Sequence, residues 1–209
     1  MKTFLSVEMM TQVFDQQQPA VKTDTGSEAV YVMMNHREKP VMESDPLQPD
    51  GQQVEVVKHE YDVVRLVPES KDETAILDAV RRMVLGEIAA YDESSAVNEF
   101  TLGDDEHWIP REMRDIYQDR LSQEVRRGHD TVSLDLPDSA AGAAPLTLGL
   151  ALAQQMLDAL NDYATDSYDQ TQAHKRAVAA LTAVDEVLSY DYTTGYPSKI
   201  NFDEMFANA

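Results

Sequence analysis

Ser70-Lys71-Asp72-Glu73-Thr74-Ala75-Ile76 is where the chain changes its period. Ser70 to Glu73 spells a capping box, in which the serine oxygen accepts from the Glu73 amide and the glutamate reaches back to the serine amide. Beyond it Ile76, Val80, Met83, Val84, Ile88 and Tyr91 recur at three- and four-residue intervals, which gathers them on one side of a helix. The spacing predicts a helix from about Lys71 to Tyr91.

Upstream of that switch the pattern is strand-like and irregular. Short β-prone runs occur at Thr3 to Met10, Ala29 to Met34 and Val54 to Val67. The last is rich in β-branched residues but alternates imperfectly, so two short strands and one long strand are both allowed. Between the second and third runs, Asn35 to Gln53 carries Pro40, Pro46, Pro49 and Gly51 and is expected to be an extended loop, because each proline removes a backbone donor. The expected division is a small, mostly β module over residues 1–69 and an α+β, predominantly helical domain over 70–209.

Downstream, Asn98 to Ile109 holds two short apolar pieces around Gly103-Asp104-Asp105 and reads as a hairpin with Phe100, Leu102, Trp108 and Ile109 buried. Pro110 suits the first position of a helix whose buried face is Met113, Ile116, Tyr117, Leu121 and Val125, and Gly128 is placed to end it. A strand at Thr131 to Leu136 and a small-residue loop from Pro137 to Pro145 follow. A long helix is then expected from about Leu148 to Leu181, with Leu152, Met156, Leu160, Tyr163, Ser167, Thr171, His174, Val178 and Leu181 along one side. Unbroken, it would be about 50 Å long and would need a second helix, a bundle or an oligomer to cover it; its polar middle, Asp162 to Lys175, also allows a break. Thr182 to Asp185 offers a cap for a short helix to Tyr190, and Thr194 to Pro197 a turn before Ile200-Asn201-Phe202.

Composition narrows the function classes. The 209 residues include 17 Lys and Arg against 38 Asp and Glu, a formal charge of −21, and no cysteine. Disulfides, thiolate metal sites and cysteine nucleophiles are therefore excluded. The acidity argues against nucleic-acid binding and docking on anionic lipid, since both depend on Lys and Arg. The N-terminus is too short in apolar residues for a secretory signal and no stretch approaches a membrane span, so the chain reads as soluble and made in the cytoplasm.

The residue types that carry chemistry do not converge in the sequence. His36, His59, His107, His129 and His174 include no pair at i, i+4, the spacing that places two imidazoles on one helix face around a metal. His174 is expected to pack half-exposed and His107 to cap the hairpin. Gly103-Asp104-Asp105-Glu106 lacks the ligand alternation of a calcium loop and reads as a solvated acidic turn, while Asp185-Glu186 suits the positive end of a helix dipole. There is no Gly-x-Ser-x-Gly, no Gly-x-x-x-x-Gly-Lys-Ser/Thr and no Gly-x-Gly-x-x-Gly. No catalytic, cofactor-binding or metal residue is singled out, and no cofactor is expected. Tyr163, Tyr168, Tyr190, Tyr192 and Tyr196 read as packing of a turn against the long helix.

From Asn98 onward the order of features resembles a phage and prophage domain family of unknown function, often found within or beside tail-fibre proteins. The likeness is carried by the aromatic hairpin Phe100 to Ile109, the helix Pro110 to Arg127, Thr131 to Leu136 with Pro145-Leu146-Thr147, and the Ala/Leu-rich helix Ala151 to Leu181 containing Ala173-His174-Lys175. The closing Tyr190 to Pro197 is similar to the ends of versions carried by gut-bacterial prophages. The resemblance implies a non-enzymatic, tail-associated structural protein, either a tail-fibre component, an adaptor or an assembly factor. Its partners would be other phage tail proteins or itself, with no nucleic acid and no membrane. Its place would be the virion, or the host cytoplasm during assembly. The alternative from charge alone is an acidic anti-defence protein that imitates nucleic acid, although the acids are spread: residues 1–69 hold 6 bases and 12 acids, residues 70–209 hold 11 and 26.

Overall fold

The computed structural model describes residues 7–24, 26–44, 53–136 and 145–207, without the side chains of residues 204 and 205. The expected strand residues before Ser6, the loop residues Pro46, Pro49 and Gly51, and most of the loop after Pro137 lie outside the described residues. The fold is α+β: a sheet near the N-terminus, then helices with two β-hairpins and one long helix toward the C-terminus.

Strands β1 (Met10–Phe14), β2 (Val21–Thr23), β3 (Val30–Ser44) and β4 (Gln53–Leu66) make an antiparallel sheet in the order β1-β4-β3-β2. The Val54 to Val67 run is thus one long strand. The loop expected from Asn35 is corrected: β3 continues through Pro40 to Ser44, with Pro40 opposite Val57 and Ser44 opposite Gln53. Proline is tolerated because that half of β3 has no neighbour on its other side among the described residues, so a missing amide costs no ladder bond there. The irregularity read as loop is instead a bulge. Between Met34, opposite Asp62, and Arg37, opposite Glu60, two residues face one. Asn35 absorbs the kink in the left-handed region at φ 49°, which its short polar side chain permits.

Alternation along β3 and β4 sorts the sheet's two faces. Val30, Val32 and Val64 are fully buried on one, while Met33, Tyr61 and Val63 cluster on the other with Phe14 and Tyr31 packed against them. Helix α1 (Glu73–Asp92) carries the stripe expected of it, with Val80, Val84 and Ile88 at zero exposure. Its cap differs from the expectation. Asp72, two residues beyond Ser70, takes the N-cap position, its Oδ1 accepting from the Ala75 amide at 2.9 Å while Ser70 donates to its other oxygen. The carboxylate is the stronger acceptor for an orphan helix amide, and the serine supports it.

The short helix α2 (Ser95–Asn98) leads into the hairpin β5 (Phe100–Leu102) and β6 (Asp105–His107), turned by Gly103 at φ 65°. Helix α3 (Arg111–Arg127) starts one residue later than expected, with Pro110 as its N-cap instead of its first helical residue, and has Gly128 at φ 74° as its C-cap. Only Tyr117 and Leu121 of its expected face are buried. Ile116 and Val125 stand 55% and 58% exposed, because the covering strand β7 (Thr131–Leu134) lies along a narrower stripe, tied by Tyr117 donating to the Asp135 carbonyl.

Leu146 to Gly149 form β8 rather than the start of the long helix. Val132 faces Leu148 and Leu134 faces Leu146 across the β7–β8 pair, so these leucines alternate with period two and are buried by cross-strand pairing. Helix α4 (Leu150–Ala180) then runs unbroken for 31 residues, about 46 Å at 1.5 Å per residue. Its first turns are covered by the same chain: Ala153, Met156, Leu157 and Leu160 share a core with Phe100, Tyr117, Leu134 and Phe202. Helices α5 (Val184–Ser189) and α6 (Phe202–Ala207) complete the order. At α5 the cap position falls on Ala183, which has no side-chain oxygen, and Glu186 reaches back to accept from the amides of Thr182 and Ala183 at 3.3 and 3.2 Å.

The chain falls into two compact units whose bounds differ from a division at residue 70. One comprises Met1–Ala90 and Lys175–Tyr192, the other Tyr91–His174 and Thr193–Ala209. The sheet thus shares its unit with α1 and α5; within it Arg81 of α1 donates through Nε to the Leu181 carbonyl at 3.2 Å.

Candidate binding surfaces

In the first unit the polar groups of the sheet converge on Asp62, 7% exposed. Arg37 clasps it through two nitrogens at 2.8 and 3.2 Å, Asn35 Nδ2 donates at 2.8 Å and Thr11 Oγ1 at 3.3 Å. The Arg37 guanidinium foremost, then Asn35 and Thr11, hold the Asp62 carboxyl below the ordinary aspartate range against the opposing effect of burial. Arg37 also bonds Glu60 at 2.8 Å. The bulge turns Asn35 and Arg37 toward Asp62, so this network fixes the irregular point of β3.

Beyond the bulge the β3–β4 pair outruns its neighbours. β1 pairs with residues 59–63 of β4 and β2 with residues 30–32 of β3, so among the described residues 39–44 and 53–58 pair only with each other. Cross-strand partners share a face, which puts Pro40, Val57 and Met42 on one side and Val41, Val56 and Val54 on the other. Met42, Val57 and Val54 are 53%, 44% and 38% exposed. Lys58 pins the base of this ribbon through Asp15 and through Glu43 at 2.7 Å.

The same bulge brings together two histidines far apart in sequence. His36 Nε2 and His59 Nδ1 lie 2.9 Å apart, and the His36 ring also stacks on Tyr61 with centroids 4.8 Å apart. A linear spacing search cannot see this pair, since it depends on a register shifted by one residue. The other imidazoles are separate. His107 is buried against Phe100 inside the hairpin, with Nδ1 unbonded, instead of capping it; His129 bonds Glu124 at the end of α3.

His174 is buried to 4% exposure, where a half-exposed place was expected, and its Nε2 lies 2.8 Å from the Thr194 carbonyl. One turn before it on α4, Thr171 is fully buried, donating to Asp92 at 2.6 Å with the Tyr196 hydroxyl at 2.9 Å. Tyr196 also meets Tyr91 edge-on at 5.4 Å. The tyrosine-rich turn is therefore bonded onto α4 through the polar side chains in the helix's middle. With Nε2 turned to a main-chain oxygen and Thr171 sealed from solvent, this Asp, Thr and His set ties the turn down and is not arranged as a nucleophile with its base.

Beside it in the second unit lies a cleft of about 680 Å³ between α3 and α4. Trp108, Ile109, Leu160 and Ala164 give it an apolar wall, while Asp92, Glu93 and Asp115 stand with Arg111 and Arg114 around it. Arg114 Nη1 donates to the Ile109 carbonyl at 2.8 Å and Nε to Asn161 Oδ1 at 3.0 Å. Burial pulls its ionisation below the ordinary arginine value. Tyr163 lines the cleft too, its phenol pushed up chiefly by burial. Ser167, one turn further along α4, is buried, and its side chain acts on that phenol in the opposite direction. Arg114 was not singled out from the sequence, yet a signal was present. Arg114, Tyr117 and Leu121 fall at i, i+3 and i+7, so the arginine continues the buried stripe of α3 toward its N-terminus.

The acidic turn supports the hairpin: Gly103 donates to Asp203 at 2.9 Å and Lys199 bonds Glu99 and Glu106 at 3.0 and 3.3 Å. Among the described residues no three His, Asp or Glu side chains are grouped to hold a metal ion, and no helix is long and apolar enough to cross a membrane. No protein-family model, curated protein or solved structure matches the chain.

Proposed function

We propose that the chain is a non-enzymatic structural protein of a phage or prophage, associated with the tail, that acts through protein–protein contacts. The observation that carries the interaction reading is the β3–β4 ribbon. A two-stranded pair is marginal in water by itself, and this one presents Pro40, Met42 and Val57 on one face and Val41, Val54 and Val56 on the other, so neither face is wholly polar as on a solvated arm. Such an arm is suited to lying against, or between, strands of another chain. The polar clusters support the same reading, because Asp62, Thr171 and His174 are bonded into the scaffold. The tail context rests on the resemblance of the sequence from Asn98 onward to the phage and prophage domain family.

The ribbon supplies the test. Replacing Met42 and Val57 together by Ser and Thr removes exposed apolar surface without touching the core. The expected outcome is unchanged thermal stability with loss of self-association, or of association with co-expressed tail proteins, in analytical ultracentrifugation. A wild-type chain that sediments as a monomer at all concentrations and with every tail protein of its genome contradicts the proposal.

A further inference from the structure

The cleft between α3 and α4 holds an arginine whose two hydrogen-bond acceptors are both neutral oxygens, with the Asp115 and Glu112 carboxylates acting on it only through space. Arg114 is only partly exposed, its Nη1 and Nε are held by two neutral oxygens, and among the described residues it forms no ion pair within 4 Å. In a chain with 38 acidic residues that is unusual: a guanidinium taken partly out of water ordinarily takes a carboxylate with it. Here two fixed bonds orient the group and leave Nη2 for an incoming acceptor. A charged donor held in place in advance favours a carboxylate, since little orientation is lost on forming the charge-assisted bond.

The rest of the lining says what that carboxylate belongs to. Asp92, Glu93 and Asp115 stand around the same cleft, so a polyanion such as a phosphate ester meets three like charges for the two arginines. A single carboxylate followed at short distance by a cation satisfies both signs. Trp108, Ile109, Leu160 and Ala164 supply an apolar wall for one side chain, and a volume of about 680 Å³ holds more than a lone amino acid. We propose that this cleft captures the C-terminal end of a peptide chain, with its α-carboxylate on Arg114, its apolar last side chain on the Trp108 and Leu160 wall, and a basic residue just upstream facing Asp92 and Glu93. The proposal rests on the protein-interaction reading for the source of the peptide and adds the chemistry of the partner.

Isothermal titration of the full chain with acetyl-Lys-Gly-Leu as free acid, with its C-terminal amide and with free leucine tests it. The expected result is binding of the free acid, weakened at least about tenfold in the amide and at least about tenfold by Arg114→Gln, as for the loss of one charge-assisted pair. Arg114→Lys, which keeps the charge but not the fixed orientation of the donor, should fall between. If Arg114→Gln fails to fold, as judged by circular dichroism, the acid-to-amide ratio on the wild-type chain and the lysine variant decide. Equal affinity for acid and amide, no heat from the free acid at millimolar concentration, or free leucine binding as tightly as the tripeptide would each overturn it. Particle association is scored separately. Loss of the acid preference with the protein still in virions removes only this site, whereas an intact acid preference with the protein absent from virions removes only the tail assignment.

Discussion

Asp62 shows how much one carboxylate can organise. Four donors on Thr11, Asn35 and Arg37 meet it at the one point where β3 loses register, so the bulge and the charge depend on each other. Asp62→Asn keeps the size but leaves Glu60 as the charged partner of Arg37, and is expected to cost about 1–3 kcal/mol in denaturant unfolding. Its pH dependence has a definite sign. The folded carboxyl ionises below the ordinary 3.8 because of Arg37 first, so its contribution is complete above that value and is lost as pH falls through the lower folded one. The wild type should therefore lose stability between pH 4 and its acid limit, roughly the ordinary titration range of aspartate and below, more steeply than Asp62→Asn; parallel acid-unfolding curves would contradict the assignment. None of these partners can be paired from the sequence, because the pairing requires the bulge, and by its prolines the sequence from Asn35 looks like a loop. Arg114 differs in kind: it lies on the buried stripe of its helix, and a charged residue on an apolar stripe is a visible signal.

At the level of elements, the period-3.6 stripes made three helices legible. α1, α3 and α4 lie where spacing placed them, and Gly128 ends α3 in the left-handed conformation expected of a terminal glycine. Gly128→Ala should cost about 1 kcal/mol, read as a lowered midpoint with unchanged denaturant slope. Leu157, without exposure in the core of the second unit, should cost about 2–5 kcal/mol when cut to alanine. What failed at this scale failed for one reason: strand pairing is not local. Leu146 and Leu148 look like the start of an Ala/Leu-rich helix until Leu134 and Val132 are placed opposite them, and prolines near position 40 look like a linker until an unneighboured strand accommodates one. The ribbon's isolation also predicts its dynamics. Amides of residues 39–44 and 53–58 should exchange with solvent well before those of 61–63, where three strands and buried side chains meet; equal protection would mean that the ribbon is covered.

For the molecule as a whole, charge is the dominant fact. At −21 the compact state repels itself at low ionic strength, and raising salt from about 10 mM to 0.5 M, which shortens the Debye length from roughly 30 Å to under 5 Å, should raise the melting temperature. A fall would show that ion pairs such as Arg37 with Glu60 outweigh the repulsion. The α+β class could be read from the change of period at Ser70. The bounds of the compact units could not, because they depend on where the far end of α4 and the tyrosine-rich segment return. The central claim is that apolar and polar surfaces of this scaffold serve attachment to other chains in a tail assembly. Its most direct measurement is quantitative mass spectrometry of purified virions and assembly intermediates induced from the genome that encodes the chain. The expected result is the protein at fixed stoichiometry with tail components; its absence from both particles and intermediates would contradict the claim.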